Sequence, residues 1–452
     1  MRLLAGCADG GSLKEIICKS GTDTAKQTAP QPLYAEASLS EGLKSAIEHI
    51  EVISEDHLLL SRCNGSLELV QFSRHKKEQA EKGKEPELPT PSAETENEYE
   101  VSEFEVVHAI NGLTNDSRLE PLYEASKKRV KLCDGFVSLQ LVPSSEDTYL
   151  AVTRSGLIHI VQVNLQKNQL LKLNTLEVKA PLEFAQLNDC DDRVSGDRYI
   201  LGYGGEENLV KIVAIDSDFS KLTQIWEAKN VKNDRLDLRV PVWPVGLKFI
   251  KSFQSKMSDA TKLNFQFAVI TRFSHLGLYR TQHGRKPMKY IDLLPNREPL
   301  NQLLLIGKES TPLGNLLAED FCNFCIITAD TKHNVYKFNV DGRLESKFGQ
   351  NDMTGASTFI GLSSGKYLLQ GGLDRYARVY ELSTSERLAK IYVGGHVNSL
   401  NLINDDIGTS AEGRTDGAKN KRHREPEDDA QVADLLWNEL DVKNRKKKKA
   451  SK

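Results

Sequence analysis

Long apolar runs are missing from this sequence. The runs it has are short, such as the four residues 303–306, against the roughly 18 that a membrane-spanning helix requires. A helical crossing is not expected. The opening Met1-Arg2-Leu3-Leu4-Ala5-Gly6-Cys7-Ala8-Asp9 reaches an acid before any extended apolar segment, so a secretory leader is not expected either. Cysteine is scarce: seven, odd in number and scattered. That pattern fits reduced thiols in a reducing compartment. Apolar residues make up only 39% of the 452 positions and charged residues 27%, with a mean hydropathy of -0.44. So small an apolar share predicts solvated segments beside the folded part.

Signatures of catalysis and cofactor binding are equally scarce. Cys322-Asn323-Phe324-Cys325 has C-x-x-C spacing, but no second pair stands at a zinc-like distance. It runs into an apolar strand pattern, which predicts buried structural thiols. Gly202, Gly204 and Gly205 follow a strand, as phosphate loops do, yet another strand follows them and no helix N-terminus is on offer. Residues 361–366 are a loose match to a phosphate loop, with short spacing and Tyr367 where Ser or Thr would meet magnesium. His275 and His283 lie eight apart in a basic loop region, not on an H-E-x-x-H helix. The expectation is no catalysis, no cofactor, no metal and no small-molecule substrate. An enzyme working in a central channel would need convergent acids with a nucleophile or a metal, and the sequence displays none.

What the sequence has is a recurring unit: a short apolar strand, a turn of Gly, Asn, Asp or Ser, and a second apolar strand. It occurs at 3–16, 58–70, 149–161, 199–212, 267–279, 325–338 and 367–382. Each reads as a β-hairpin with two half-buried arms. Seven such units predict an all-β, seven-bladed WD-repeat propeller over residues 1–403, although their spacing of about 40 to 90 residues is looser than the roughly 40–45 of a compact blade. The last unit is nearest the consensus. Its Gly371-Gly372-Leu373-Asp374 turn leads to Arg378-Val379-Tyr380-Glu381, with Tyr-Glu where Trp-Asp usually stands, and Gly395-His396 follows. The chain starts directly on a strand at residues 2–6, with nothing ahead of it to complete the first blade. Residues 390–393 and 397–403 supply two further strands. The second is expected to pair beside residues 2–6 and close the ring, removing the open edges of a linear array.

Two segments fall outside the blades. Residues 73–100, rich in Lys, Glu, Pro and Thr, are read as a disordered insertion. Residues 404–452 are read as a flexible tail. Within it Val432, Leu435, Leu436 and Leu440 share one helical face, with Trp437 beside it and Asp428-Asp429 before it. A short amphipathic helix over 430–441 that binds a partner is one reading, and a chance cluster is the other. The tip at 443–452 carries Lys443, Arg445, Lys446, Lys447, Lys448, Lys449 and Lys452 and no acid. It reads as a nuclear or nucleolar import signal or a nucleic-acid arm, with a plain solvated run as the alternative.

The net charge of -3 hides a partition. Besides the basic tip, residues 226–299 hold 14 Lys/Arg against 6 Asp/Glu, so the rest of the chain stands near -18. Loops at a propeller rim are where binding residues sit. Lys229, Lys232, Arg235, Arg239, Arg272, His275, Arg280, His283, Arg285, Lys286 and Arg297 are the candidate partner or RNA contacts. RNA phosphates and acidic side chains both satisfy them, and an ordinary solvated surface is the competing reading. Trp243 and Phe273 either stack on a ligand or fill a blade.

Longer blocks carry a resemblance. Gly21-Thr22-Asp23-Thr24, Tyr203-Gly204-Gly205-Glu206-Glu207-Asn208-Leu209, Arg239-Val240-Pro241-Val242-Trp243-Pro244, Thr281-Gln282-His283-Gly284-Arg285-Lys286-Pro287 and Tyr367-Leu368-Leu369-Gln370-Gly371-Gly372-Leu373-Asp374 are among them. With the opening Met1-Arg2-Leu3-Leu4, and over nearly its whole length, the chain resembles the Nsa-one type of WD-repeat ribosome assembly factor. Residues 74–100 and most of the tail match poorly. The resemblance implies a non-catalytic scaffold in nucleolar precursors of the large (60S) ribosomal subunit. Its implied partners are other assembly factors, pre-rRNA and an AAA-type ATPase that later removes it. A generic nuclear WD-repeat adaptor is the alternative.

Overall fold

The computed structural model describes residues 1–76, 99–126, 133–143, 145–189, 198–233, 235–250, 265–307 and 324–405. The expected tail helix, the import signal, Cys322 and residues 77–98 lie outside the described residues.

Seven four-stranded antiparallel sheets form a ring, each taken here from its innermost strand outward. Blade I is Val397–Asn404, Arg2–Cys7, Leu13–Ile17 and Tyr34–Ser38; blade II is Ile47–Val52, His57–Arg62, Leu67–Lys76 and Glu100–Ile110. Blade III is Phe136–Leu141, Thr148–Thr153, Leu157–Asn164 and Gln169–Glu177; blade IV is Phe184–Leu187, Arg198–Gly205, Asn208–Asp216 and Leu222–Glu227. Blade V is Pro244–Ile250, Gln266–Thr271, His275–Arg280 and Lys289–Asp292; blade VI is Leu300–Gly307, Phe324–Asp330, Val335–Asn339 and Leu344–Phe348. Blade VII is Ser357–Ser363, Tyr367–Gly372, Tyr376–Glu381 and Arg387–Tyr392.

All seven hairpins expected from turn chemistry are present, and each forms the second and third strands of a blade. Gly65 (φ 83°) and Gly156 (φ 82°) show why their turns are written with glycine: both hold the left-handed conformation. The middle strands are the most buried, as in His57–Arg62 and Phe324–Asp330, where every residue is buried. They are covered on both faces because the core is divided among the gaps between blades. Leu4, Leu13, Ile47, Leu58 and Leu60 join blades I and II. Leu150, Ile158, Leu201 and Val213 join blades III and IV, and Phe249, Phe267, Ile212 and Trp226 join IV and V. Each blade thus depends on both neighbours for its apolar faces.

The closing strand sits where expected. Val397–Asn404 runs antiparallel to Arg2–Cys7, with Leu400 opposite Ala5 and Leu402 opposite Leu3. A second latch lies outside it. Lys390 N donates to Thr22 O at 2.9 Å, Thr24 N to Lys390 O at 3.0 Å, and Arg387 pairs with Asp23 at 2.6 Å. The turn of blade VII is held by Arg378, which is fully buried and donates to Gln370 (2.9 Å), Asp352 O (3.0 Å) and the Asp374 carboxylate.

The two ends of the segment expected to be a disordered insertion are ordered instead. Residues 73–76 and Glu100 are strand: Ser73 faces Glu103, Arg74 faces Ser102, and Lys76 faces Glu100. The ladder extends past the core because antiparallel pairing satisfies these backbone groups whatever the side chains are.

Candidate docking surface

The inner strands leave a central channel of about 700 Å³ where polar side chains alternate with apolar ones. Those side chains stitch neighbouring blades together. Asn398 and Asn401 donate to Ile47 O and Ile50 O of blade II (3.2 and 2.8 Å). Glu48 accepts from Phe136 N at 2.6 Å, and Gln140 of blade III donates to Ala185 O of blade IV at 2.9 Å. Lys248 Nζ reaches back to Gln186 at 2.6 Å, while Asn301 and Gln302 of blade VI donate to Ser357 O and Thr358 O of blade VII at 2.8 and 2.6 Å. Burial pushes the Glu48 and Glu51 carboxyls up to about 7, and it lowers His49. The channel's hydrogen-bonding groups are therefore engaged largely in holding the ring. No group of three or more His, Cys, Asp or Glu among the described residues is placed to hold a metal ion. No described helix is long and apolar enough to cross a membrane.

The basic sector belongs to blade V and to the loop that enters it. The connection at 228–243 leaves the outer strand of blade IV and returns to the channel. It emerges at the same face as the turn at 206–207 and the turn at 272–274. Glu207 N donates to Val242 O at 2.9 Å and Arg272 N to Trp243 O at 2.8 Å, tying the three together. The turn at 281–288 comes alongside as well, since Lys229 N donates to Arg285 O at 2.8 Å. The structure thus gathers Lys229, Lys232, Arg235, Arg239, His283, Arg285 and Lys286 around two joined loops, and all seven are exposed. Arg297, also exposed, lies on the next blade-to-blade connection.

The candidates are not equivalent. Arg285 is tied to Glu227, through its carbonyl at 2.6 Å and its carboxylate at 3.0 Å. Arg239 pairs with Glu207 at 2.9 Å. Arg272 lies over the Trp243 ring at 5.7 Å, and Trp243 packs edge-on against Phe273 at 6.4 Å. Trp243 is half-buried against the core between blades V and VI, so this pair fills the blade. Arg280 is half-buried beside Gln266, whose amide oxygen accepts from its guanidinium at 3.1 Å. His275 is a correction. It is buried, pairs with Asp292 at 3.1 Å, stacks on Tyr290 at 4.7 Å, and burial lowers its pKa. It opens the third strand of blade V, a position whose side chain faces the interior, so it contributes to the blade and not to a surface. Lys229, Lys232, Arg235 and Lys286 remain as exposed charge, with His283 exposed beside them.

The basic count did not reveal two apolar neighbours on the same loop, Leu236 and Leu238, which are 78% and 59% exposed. The signal was available in Arg235-Leu236-Asp237-Leu238-Arg239, where two leucines alternate with charges.

No family model matches the chain. Relatives do. It is 50% identical to ribosome biogenesis protein NSA1 of Vanderwaltozyma polyspora, over 99% of this chain and 100% of that one. It is 47% identical to the protein of that name from Saccharomyces cerevisiae, over 98% of this chain and 97% of that one. With the Eremothecium gossypii protein the identity is 40%, over 99% and 98%. Among solved structures, Saccharomyces cerevisiae Sqt1 aligns with a TM-score of 0.46 and 9% identity, over 79% of this chain and 77% of that one. The C-terminal WD40 domain of Sif2 aligns with a TM-score of 0.41 and 12% identity, over 77% and 73%.

Proposed function

The chain belongs to the NSA1 family of ribosome biogenesis proteins, and on that premise we propose that it is a non-catalytic scaffold on nucleolar precursors of the large ribosomal subunit. The ring offers rigid rims, and the joined loops between blades IV and V offer the docking charge. The observation that carries this reading is the run Lys229, Lys232 and Arg235, exposed on one loop of an otherwise acidic body. Such a patch attracts phosphates or acidic side chains and speeds encounter with either. Its partners are assembly factors and pre-rRNA. Removal by an AAA-type ATPase completes the cycle, and the basic tip, Lys443 to Lys449, directs the chain to the nucleus.

The test is affinity purification of the full chain from nuclear extract, with RNA and protein both identified. The expected result is precursor RNA of the large subunit together with its assembly factors. Recovery of neither overturns the proposal. A salt series on the recovered complex adds a second readout, since contacts dominated by charge weaken steeply with salt. Binding that is indifferent to salt, with no precursor RNA, is what a generic adaptor with an apolar groove would give.

A further inference from the structure

We infer that the loop at 229–243 docks on a protein, not on RNA, by inserting Leu236 and Leu238 into an apolar pocket edged by Asp and Glu. This rests on the docking reading above and names the partner class for one part of that surface.

The described residues of the loop are restrained at several points. At its base Asn230 Nδ2 donates to Val240 O at 2.7 Å, beside the bond from Lys229 N to Arg285 O. At its tip Asn233 Nδ2 donates to Asp237 O at 3.1 Å and to Asp237 Oδ1 at 2.9 Å, and Asp237 takes a left-handed φ of 59°. The pair between Arg239 and Glu207 anchors the return limb, and Val242 is buried just beyond it. A slack loop would expose leucines without fixing where they point. This one is tied at base, tip and return limb, yet it holds Leu236 at 78% exposure, the most exposed large apolar side chain among the described residues. Ordering the loop before binding removes an entropy cost that a partner would otherwise have to offset.

The chemistry of the loop selects protein over RNA. Recognition of single-stranded RNA pairs cations with flat faces on which bases stack. The aromatic rings of Trp243 and Phe273 pack edge-on against each other, with Trp243 against the core between blades V and VI, and the exposed His283 ring stands on the turn at 281–288, not on the loop that carries the leucines. What projects is aliphatic, and aliphatic side chains gain most from burial in an apolar pocket. The frame is cationic. Lys232 and Arg235 are exposed, Glu207 pairs with Arg239 and Glu227 with Arg285 and Lys211, and Asp237, the acid between the two leucines, accepts from Asn233. A pocket rimmed with carboxylates complements two leucines set in such a frame.

The experiment places a photo-crosslinking residue at position 236 in the full chain and irradiates purified precursor particles. The expected product is a nuclease-resistant, protease-sensitive adduct with one protein, crosslinked within a peptide that carries Asp or Glu beside apolar residues. Leu236→Ala with Leu238→Ala is expected to lower particle occupancy by about ten-fold, the scale of lost interface anchors, with melting unchanged. A nuclease-sensitive adduct overturns the inference in favour of RNA. So does the absence of any adduct, or unchanged occupancy of the double variant, while the chain still co-purifies with precursor. If the chain does not co-purify with precursor at all, the docking reading itself fails and takes this inference with it.

Discussion

Ending the chain after His396 removes the strand that closes the ring, and the structure allows its cost to be worked out. Val397 and Leu400 are fully buried, and Ser399 is nearly so. At about 1.5–3 kcal/mol for each large side chain returned to water, the first two account for about 3–6 kcal/mol. The deletion also uncovers Leu3 and Ala5, which face the strand, and frees a ladder that runs from Arg2 to Cys7. It removes the bridges from Asn398 and Asn401 to blade II. Against a total stability of about 5–15 kcal/mol, the side-chain term alone is a large fraction, and the lost ladder and bridges add to it, so the closed ring is severely destabilised. Blade I becomes a three-stranded sheet with an open edge, which is prone to pair with other chains. The control ends the chain after Asp405 and keeps the strand. In scanning calorimetry the control melts as one cooperative unit at the temperature of the full chain, while the shorter form shows a broad, early transition and aggregates. A shorter form that melts like the control refutes the argument that Val397–Asn404 holds the ring together. A milder version is Leu400→Ala, which costs about 2–5 kcal/mol by the usual range for a buried leucine.

Two further predictions come from groups inside the ring. Glu48 and Glu51 are held near 7 by burial, from an unperturbed 4.5, so the folded chain keeps protons that the unfolded chain has released between those values. Their contribution is full below about 4.5 and is lost as pH rises through 7; Glu48→Gln with Glu51→Gln should flatten that fall, so that the variant's stability relative to the unaltered chain is higher at pH 8 than at pH 5, by at most about 3 kcal/mol per site as read from urea unfolding at the two pH values. Arg378→Met leaves the buried Asp374 carboxylate without its cation and is expected to cost about 3–5 kcal/mol, whereas Arg378→Met with Asp374→Asn costs less, as a double-mutant cycle in urea would read.

The middle of each blade was written in the sequence because turn chemistry and short apolar runs coincide there. Asn64-Gly65 and Ser155-Gly156 mark turns that need a left-handed glycine, and the strands on either side are buried on both faces. The inner and outer strands were harder to see. Inner strands alternate apolar residues with channel-facing Glu48, Gln140, Gln186 and Gln302, and the outer Tyr34–Ser38 is almost wholly half-buried or exposed. Neither reads as a core strand until its neighbours are known. The same limit governed the docking surface. Composition located the basic sector, but it could not tell that His275 points into blade V while Lys232 points to solvent. Nor could it anticipate Glu48 and Glu51, which owe their raised pKa to residues far off in sequence packing around them.

The most direct test of the scaffold reading reverses the exposed charge without touching the ring. Lys229→Glu, Lys232→Glu and Arg235→Glu alter exposed side chains that lie outside every strand. Sedimentation of cell extract through a sucrose gradient then reports where the full chain travels. The triple variant is expected to keep its melting temperature and to shift from the large-subunit precursor fractions to the free pool. A variant that still travels with the precursor as the unaltered chain does would contradict docking through the loops between blades IV and V.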